Sequence, residues 1–294
     1  MSDKMIIDAH LHLWDEQKGR VNGKAVYGIG NGKSDFGGEV KQMLPPFMID
    51  GKNTVEILIS NMDFARVSGA VVTQEYIDGN QDDYLFKAKE KFPNRIKICS
   101  LYEEHEDYKI NNYDGIKICA GRLKNKDLKD LLSLFKEAEE KNKFISIDLA
   151  DGAEQVKEME YLIKNVPNVK IAIGHFGMVT IDGWLKQIKL AQNKNVYIES
   201  GGITWLFHKE FYPYPSAIDA ILQARDICGI DKLMWGSDYP RTMSAITYKM
   251  SYDFILKSHS LTEEEKDLFL GINAKKFYGF EEMEIPKYIS SMVD

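Results

Sequence analysis

His10 and His12 stand one residue apart at the end of an apolar run, Met5-Ile6-Ile7-Asp8-Ala9. Residues two apart on a strand point to the same face. Two imidazoles therefore project together from one strand end, where they can share a metal ion or polarise a carbonyl. Other groups able to do acid–base or electrostatic work follow at later positions of the same kind. Lys117 and Arg122 form one such place, Asp148 a second, Gly174-His175-Phe176-Gly177 a third and Gly236-Ser237-Asp238-Tyr239-Pro240-Arg241 a fourth. A carboxylate can take a proton from water, and imidazoles can surround a carbonyl oxygen or a divalent ion. Asp238, His175 and Lys117 are thus the catalytic candidates, and His10, His12 and Asp238 the candidate metal ligands. Each has a plainer alternative: Asp238 as a helix cap, His175 as a turn residue between glycines, Lys117 and Asp148 as an inward structural ion pair. Glu103, Glu104 and Glu199 also fall near strand ends, in directions that the pattern does not fix. His105, His208 and His259 lie outside the pattern and read as surface residues.

These groups acquire meaning from the elements that carry them. Eight β-rich runs recur: Met5–Ala9, Gly69–Thr73, Ile96–Leu101, Gly115–Ile118, Phe144–Leu149, Val169–Ile173, Val196–Ser200 and Lys232–Trp235. Amphipathic stretches separate most of them. Thr54–Val67 puts Val55, Leu58, Ile59, Met62 and Ala65 in phase, and Asp127–Lys141 does the same with Leu128, Leu131, Leu132, Phe135 and Ala138. Strand–helix alternation implies right-handed crossovers and a parallel sheet, and eight units over roughly 250 residues is the count of an α/β fold of the (β/α)8 TIM-barrel kind. An open doubly wound sheet is disfavoured, because no Gly-x-Gly-x-x-Gly follows the first strand. In a barrel the catalytic groups gather at the C-terminal ends of strands, which is where the groups above fall. Glu103–Asn112 is long enough only for a turn of helix, and Leu261-Thr262-Glu263-Glu264-Glu265 looks like a capping box opening a C-terminal helix that ends at Gly279. The tail after Pro286 has no usable periodicity. No linker divides residues 1–294, which read as a single domain.

One connection is abnormal. Residues 15–53, after the first strand, carry Gly19, Gly23, Gly28, Gly30, Gly32, Gly37, Gly38, Gly51 and Pro45-Pro46. A long loop on the active face reads as a structureless lid, and Tyr27, Phe36, Met43, Leu44, Phe47 and Met48 are spaced through it. The loop after the seventh strand is aromatic, with Trp205, Phe207, Phe211, Tyr212 and Tyr214 placed to stack on a ring or pack beneath the lid. Arg122 and Arg241 are natural carboxylate grips, because guanidinium forms bidentate pairs, and each reads equally as a member of a surface salt bridge.

Bulk properties narrow the partners. The chain has 294 residues, 44% of them apolar, enough for a large core. A net charge of −7 argues against nucleic acid as partner. No run reaches the length of a membrane span, and Met1-Ser2-Asp3-Lys4 leads straight into the first strand without a signal segment. Cys99, Cys119 and Cys228 are odd in number and far apart, so a disulfide framework and a cysteine zinc site are both disfavoured and a reducing cytoplasm is expected. The expected partner is a small-molecule substrate, and aromatics in the surface loops are compatible with a homodimer.

Ile7-Asp8-Ala9-His10-Leu11-His12-Leu13-Trp14, Gly174-His175-Phe176-Gly177, Trp235-Gly236-Ser237-Asp238-Tyr239-Pro240 and Asn273-Ala274-Lys275-Lys276-Phe277-Tyr278, in this order, resemble the signatures of the amidohydrolase superfamily. More closely they resemble its branch of TIM-barrel lactonases and decarboxylase-related hydrolases. Decarboxylase-like members hold zinc with the strand-one histidines, a strand-five histidine and the strand-eight aspartate. The corresponding strand here, Phe144-Ile145-Ser146-Ile147-Asp148-Leu149, has no histidine. Its Asp-Leu is similar to that of the lactonase members, several of which work without a required metal. The resemblance therefore implies one divalent ion, zinc or manganese, or none. It implies opening of a lactone derived from a sugar acid or a small dicarboxylate, with Asp238 as base and His10, His12 and His175 around the carbonyl oxygen. Arg122, Arg241 and Trp205 would touch the substrate. The alternatives are a zinc- or manganese-dependent decarboxylase or C–C or amide hydrolase, and a barrel that binds a metabolite without turnover. The joint presence of His10, His12, His175 and Asp238 speaks against the last.

Overall fold

The structure is a computed structural model and describes residues 4–287. Its first strand, β1 (Ile7–Leu11), leads into a small antiparallel sheet of β2 (Lys18–Val21), β3 (Lys24–Gly30), β4 (Lys33–Phe36) and β5 (Val40–Gln42). There follow α1 (Val55–Ala65), β6 (Gly69–Val72), α2 (Asp82–Lys91), β7 (Ile96–Leu101), β8 (Gly115–Ile118), α3 (Leu132–Glu140), β9 (Phe144–Ile147), α4 (Val156–Asn165), β10 (Lys170–Ile173) and α5 (Trp184–Leu190). The chain continues through β11 (Val196–Glu199), α6 (Ile203–Leu206), α7 (Pro215–Cys228), β12 (Leu233–Met234), α8 (Met250–Lys257), α9 (Glu263–Asp267) and α10 (Asn273–Tyr278).

Eight parallel strands pair in the order β1-β6-β7-β8-β9-β10-β11-β12. The last returns to the first through Ala9 N–H to Trp235 O at 2.9 Å and His12 N–H to Tyr239 O at 2.9 Å. This is the expected α/β barrel. Helices cover the outer face and side chains fill the inner one, so β1, β6, β8 and β9 are buried along their whole length and read as continuous apolar runs. Only a 3₁₀ turn, Ile110–Asn112, fills the thin unit between β7 and β8. Thr262 and Glu265 form the expected capping box on α9. The C-terminal helical stretch ends at Gly279, whose φ of 69° provides the left-handed cap. Among the described residues no helix is long and apolar enough to cross a membrane.

The glycine-rich connection is not structureless. Asn22-Gly23 and Asn31-Gly32 each form a two-residue hairpin loop, with φ of 50° and 76° and of 53° and 70°. Two positive φ values are what a type I′ turn requires, and Asn-Gly supplies them at least cost. Its β2 edge docks on the segment after β6, through Lys18 N–H to Asp78 O (3.2 Å) and Arg20 N–H to Tyr76 O (2.7 Å). Trp14, Leu44 and Met48 make a separate small core beneath it.

Candidate active site

The C-terminal end of β1 places His10 and His12 in the barrel mouth, both fully buried. Their rings lie 5.0 Å apart, and the His175 ring, delivered by the turn after β10, lies 4.6 Å from His10. His10 Nε2 and His12 Nε2 are 3.2 Å apart, and His12 Nε2 is 3.0 Å from Asp238 Oδ1. Asp238 does not cap a helix. It follows β12 in a left-handed conformation, φ 58°, which aspartate tolerates and which turns its carboxylate into the mouth. Its second oxygen accepts from Trp205 Nε1 at 2.7 Å. His175 is a turn residue as well as a member of the cluster: its φ is 54° and its Nδ1–H donates to Gly201 O at 2.8 Å.

Carboxylates behind the imidazoles fix their tautomers. Glu199, at the end of β11, lies 2.6 Å from His10 Nδ1 and accepts a hydrogen bond from it, which leaves His10 Nε2 facing the mouth. Gly236 makes room for this pair, because a Cβ there would meet His10 Cβ at 2.8 Å. Burial first, and then the Arg241 charge, push the pKa of His12 well below the usual imidazole value and keep it neutral. Its Nδ1 has no hydrogen-bond partner and stands 3.6 Å from Asp78 Oδ2, so its single proton is best placed on Nδ1, facing that carboxylate. Burial opposes ionisation of Asp238, but the Arg241 and His175 charges outweigh it and hold the carboxyl well below its usual range.

A second group lies alongside. Lys117 on β8 is completely buried and donates to Asp148 Oδ1 at 2.6 Å, and Asp148 Oδ2 faces His175 Nε2 at 3.6 Å. Burial works against the imidazolium of His175, but Asp148, then Asp238 and Glu199, lift its pKa to about 10. It therefore stands in the mouth as a cation with an N–H to give. Lys117 is not exposed in the cavity. It lies behind Asp148 and acts on the site through it.

The cavity at this end of the barrel encloses about 510 Å³, the size of one small ring with substituents. Arg122, Arg241, Asp148, His175, Trp205 and Asp238 all line it, and Met43 reaches it from the segment after β5. Neither arginine is a free grip. Arg241 Nη2 lies 2.8 and 2.9 Å from the two oxygens of Asp78, and Arg122 Nη2 lies 2.5 Å from Glu75. Of the aromatic loop residues only Trp205 lines the cavity. Tyr212 bonds Asp253, Tyr214 is buried and Phe211 faces outward. Glu103 pairs with Arg20, Glu104 accepts from the backbone of Lys124 and Asn125, and His105, His208 and His259 are exposed.

The Amidohydrolase family model matches residues 7–280. The chain belongs to the amidohydrolase family. Among curated proteins it is 26% identical to the uncharacterized protein y4mH of Sinorhizobium fredii, over 95% of this chain and 99% of that one. Among solved structures it is similar to a probable 2-pyrone-4,6-dicarboxylic acid hydrolase of Acinetobacter baumannii with citric acid bound. That match has 22% identity and a TM-score of 0.69, covering 94% of this chain and 99% of the other. An amidohydrolase of Burkholderia multivorans with bound zinc is similar at 14% identity and a TM-score of 0.67, with coverages of 94% and 99%.

The donor set of this amidohydrolase fits a divalent cation. With the His10 and His12 protons on Nδ1, two Nε2 lone pairs and an ionised Asp238 oxygen converge with no hydrogen between them. Only a cation satisfies all three. All three atoms lie within 4.8 Å of one another. Their neighbouring separations of 3.2 and 3.0 Å approach the about 3.3 Å between tetrahedral ligands that each sit about 2.0–2.1 Å from zinc.

Three acidic residues that matter here escape a search of strand ends. Asp78 and Glu75 sit on the loop after β6, where they hold Arg241 and Arg122. Asp8 points away from the mouth and is fully buried, accepting from His10 N–H, Ser237 N–H (2.9 Å), Ser237 Oγ–H and Tyr248 Oη–H (2.7 Å). Burial lifts its pKa to about 6 against these four donors. The network ties β1 to the turn that carries Asp238. Asp8→Asn turns one acceptor into a donor facing donors, and is expected to cost about 2–3 kcal/mol of stability in urea unfolding. An unchanged unfolding midpoint would show that the network does not hold the turn.

Proposed function

We propose that this amidohydrolase opens a lactone by attack of water on the acyl carbon. The observation that carries the reading is the convergence of His10, His12, His175 and Asp238 in one cluster, of which His175 and Asp238 line the cavity. His10, His12 and Asp238 would hold a divalent ion, zinc or manganese, which when bound polarises a carbonyl and lowers the pKa of water. Asp238 takes the proton from the attacking water. Its carboxylate suits this because Trp205 fixes one oxygen and leaves the other facing the cluster. The acyl oxygen gains negative charge as the C–O bond to water forms. The N–H of the His175 imidazolium donates to that oxygen, and Asp148 keeps the ring charged and oriented. The ring C–O bond then breaks, and the proton held by Asp238 passes to the departing oxygen. The product is a hydroxy acid. The segment 15–53 serves as a lid, with Met43 as its contact to the substrate.

Acid release from a panel of lactones, followed in a pH-stat, tests the reading. Metal-loaded protein is expected to turn over at least one lactone. Chelator treatment should lower kcat by about 10²–10³-fold, with recovery on adding zinc or manganese. Carbon dioxide release from a carboxylic acid substrate, with every lactone inert, would move the assignment to decarboxylation.

A further inference from the structure

We infer that Gln17 and Ser34, on the segment between β1 and α1, are positioning residues for Asp238: they seat that segment on Asp78, and Asp78 sets Arg241 against the Asp238 carboxylate. Their effect on turnover rests on the reading of Asp238 as the base. Ser34 lies on β4 and Gln17 just before β2, and both side chains are buried although the small sheet is mostly exposed. Buried polar groups of this kind persist where they are hydrogen-bonded. Here the bonds run toward the barrel. Ser34 Oγ–H donates to Gln17 Oε1 at 2.6 Å, and Gln17 Nε2–H donates to Asp78 Oδ1 at 3.4 Å. Asp78 takes Arg241 Nη2 between its two oxygens at 2.8 and 2.9 Å. Arg241 Nη1 stands 3.6 Å from Asp238 Oδ1, the oxygen that faces His12. One enclosed chain of side chains thus joins the outer sheet to the oxygen that takes the proton. The backbone leaves the seat little slack. Lys18 N–H and Gln81 Nε2–H both donate to Asp78 O, at 3.2 and 2.9 Å, and Gln81 Nε2–H also reaches Glu16 O at 2.8 Å. Backbone lies on backbone at this point, since a Cβ on Gly19 would strike Ile77 O and one on Gly79 would strike Lys18 O. Asp78 itself sits on a loop without regular structure, so the orientation of its carboxylate depends on what holds it. Removing the Gln17 donor lets Asp78 and Arg241 turn together, and a misplacement of about 1 Å beside a reacting group is costly in rate.

Two readouts test this, one of them without turnover. Trp205 Nε1–H donates to Asp238 Oδ2, so the Trp205 indole signal in a ¹H–¹⁵N correlation spectrum of the zinc-loaded protein, assigned with Trp205→Phe, reports on the carboxylate directly. Gln17→Leu is expected to move that signal upfield, as a charge-assisted hydrogen bond loosens. It should also lower kcat for a hydrolysed lactone by about 10–100-fold, with KM changed by a factor of about three at most. Gln17→Leu combined with Ser34→Ala removes both buried polar groups and should melt close to the wild type. In that double variant the indole signal should stay shifted and kcat should stay low. Wild-type kcat in the stable double variant overturns the inference, because a purely structural pair gives back activity together with stability. An indole signal at its wild-type position in both variants overturns it as well, whatever kcat does. Where no lactone is opened, a shifted signal in the stable double variant upholds the positioning of Asp238, and only the hydrolytic reading falls.

Discussion

Asp238→Asn is expected to lower kcat by about 10³-fold while KM stays within a few-fold. The amide keeps the shape of the carboxylate but removes the group that accepts the water proton. Its oxygen can still accept from the Trp205 indole N–H while its NH₂ faces the His12 Nε2 lone pair, since the two carboxylate oxygens face those partners at 2.7 and 3.0 Å. The loss should therefore appear in kcat, where transition-state interactions register, and less in substrate binding. The backbone of the turn is held by Asp8 and Ser237, so the melting temperature should change little. A variant retaining near-wild-type kcat would remove Asp238 as the base.

Lys117→Met should destabilise the protein by about 3–5 kcal/mol, the usual cost of stranding one partner of a buried ion pair. Lys117 is fully enclosed, and Asp148 is buried except for the edge that faces the cavity. Burial opposes the ammonium of Lys117 and the carboxylate of Asp148, and each keeps its charge because of the other. A second substitution separates fold from chemistry. Lys117→Met with Asp148→Leu replaces the pair by apolar groups and should recover most of the stability. Activity should stay low, because His175 then loses Asp148, the carboxylate that does most to keep it charged and oriented. If the double variant recovers kcat together with stability, the pair is purely structural.

Much of this was legible in the sequence, for a physical reason. Strands buried on both faces leave uninterrupted apolar runs, and the barrel ends each of them where polar groups can collect. His10, His12, His175 and Asp238 could therefore be grouped without coordinates, as could the Lys117–Asp148 pair. The small sheet of residues 18–42 was missed because its strands are short and mostly exposed, so alternation is weak. Asn22-Gly23 and Asn31-Gly32 are the signals that would have found it. Arg122 and Arg241 both line the cavity, and each is held by a carboxylate. Their partners Glu75 and Asp78 lie in a loop with no period, 47 and 163 residues away along the chain, and such pairing leaves no local trace. The role of Glu199 is of the same kind: its place at a strand end was visible, and its partner His10 was not.

Hydrolysis of a turned-over lactone in ¹⁸O-enriched water tests the central chemistry most directly. Attack of water on the acyl carbon within the His10–His12–His175–Asp238 cluster predicts one labelled oxygen in the new carboxylate and none in the new hydroxyl. Label in the hydroxyl, or an unsaturated product carrying no label, would contradict it.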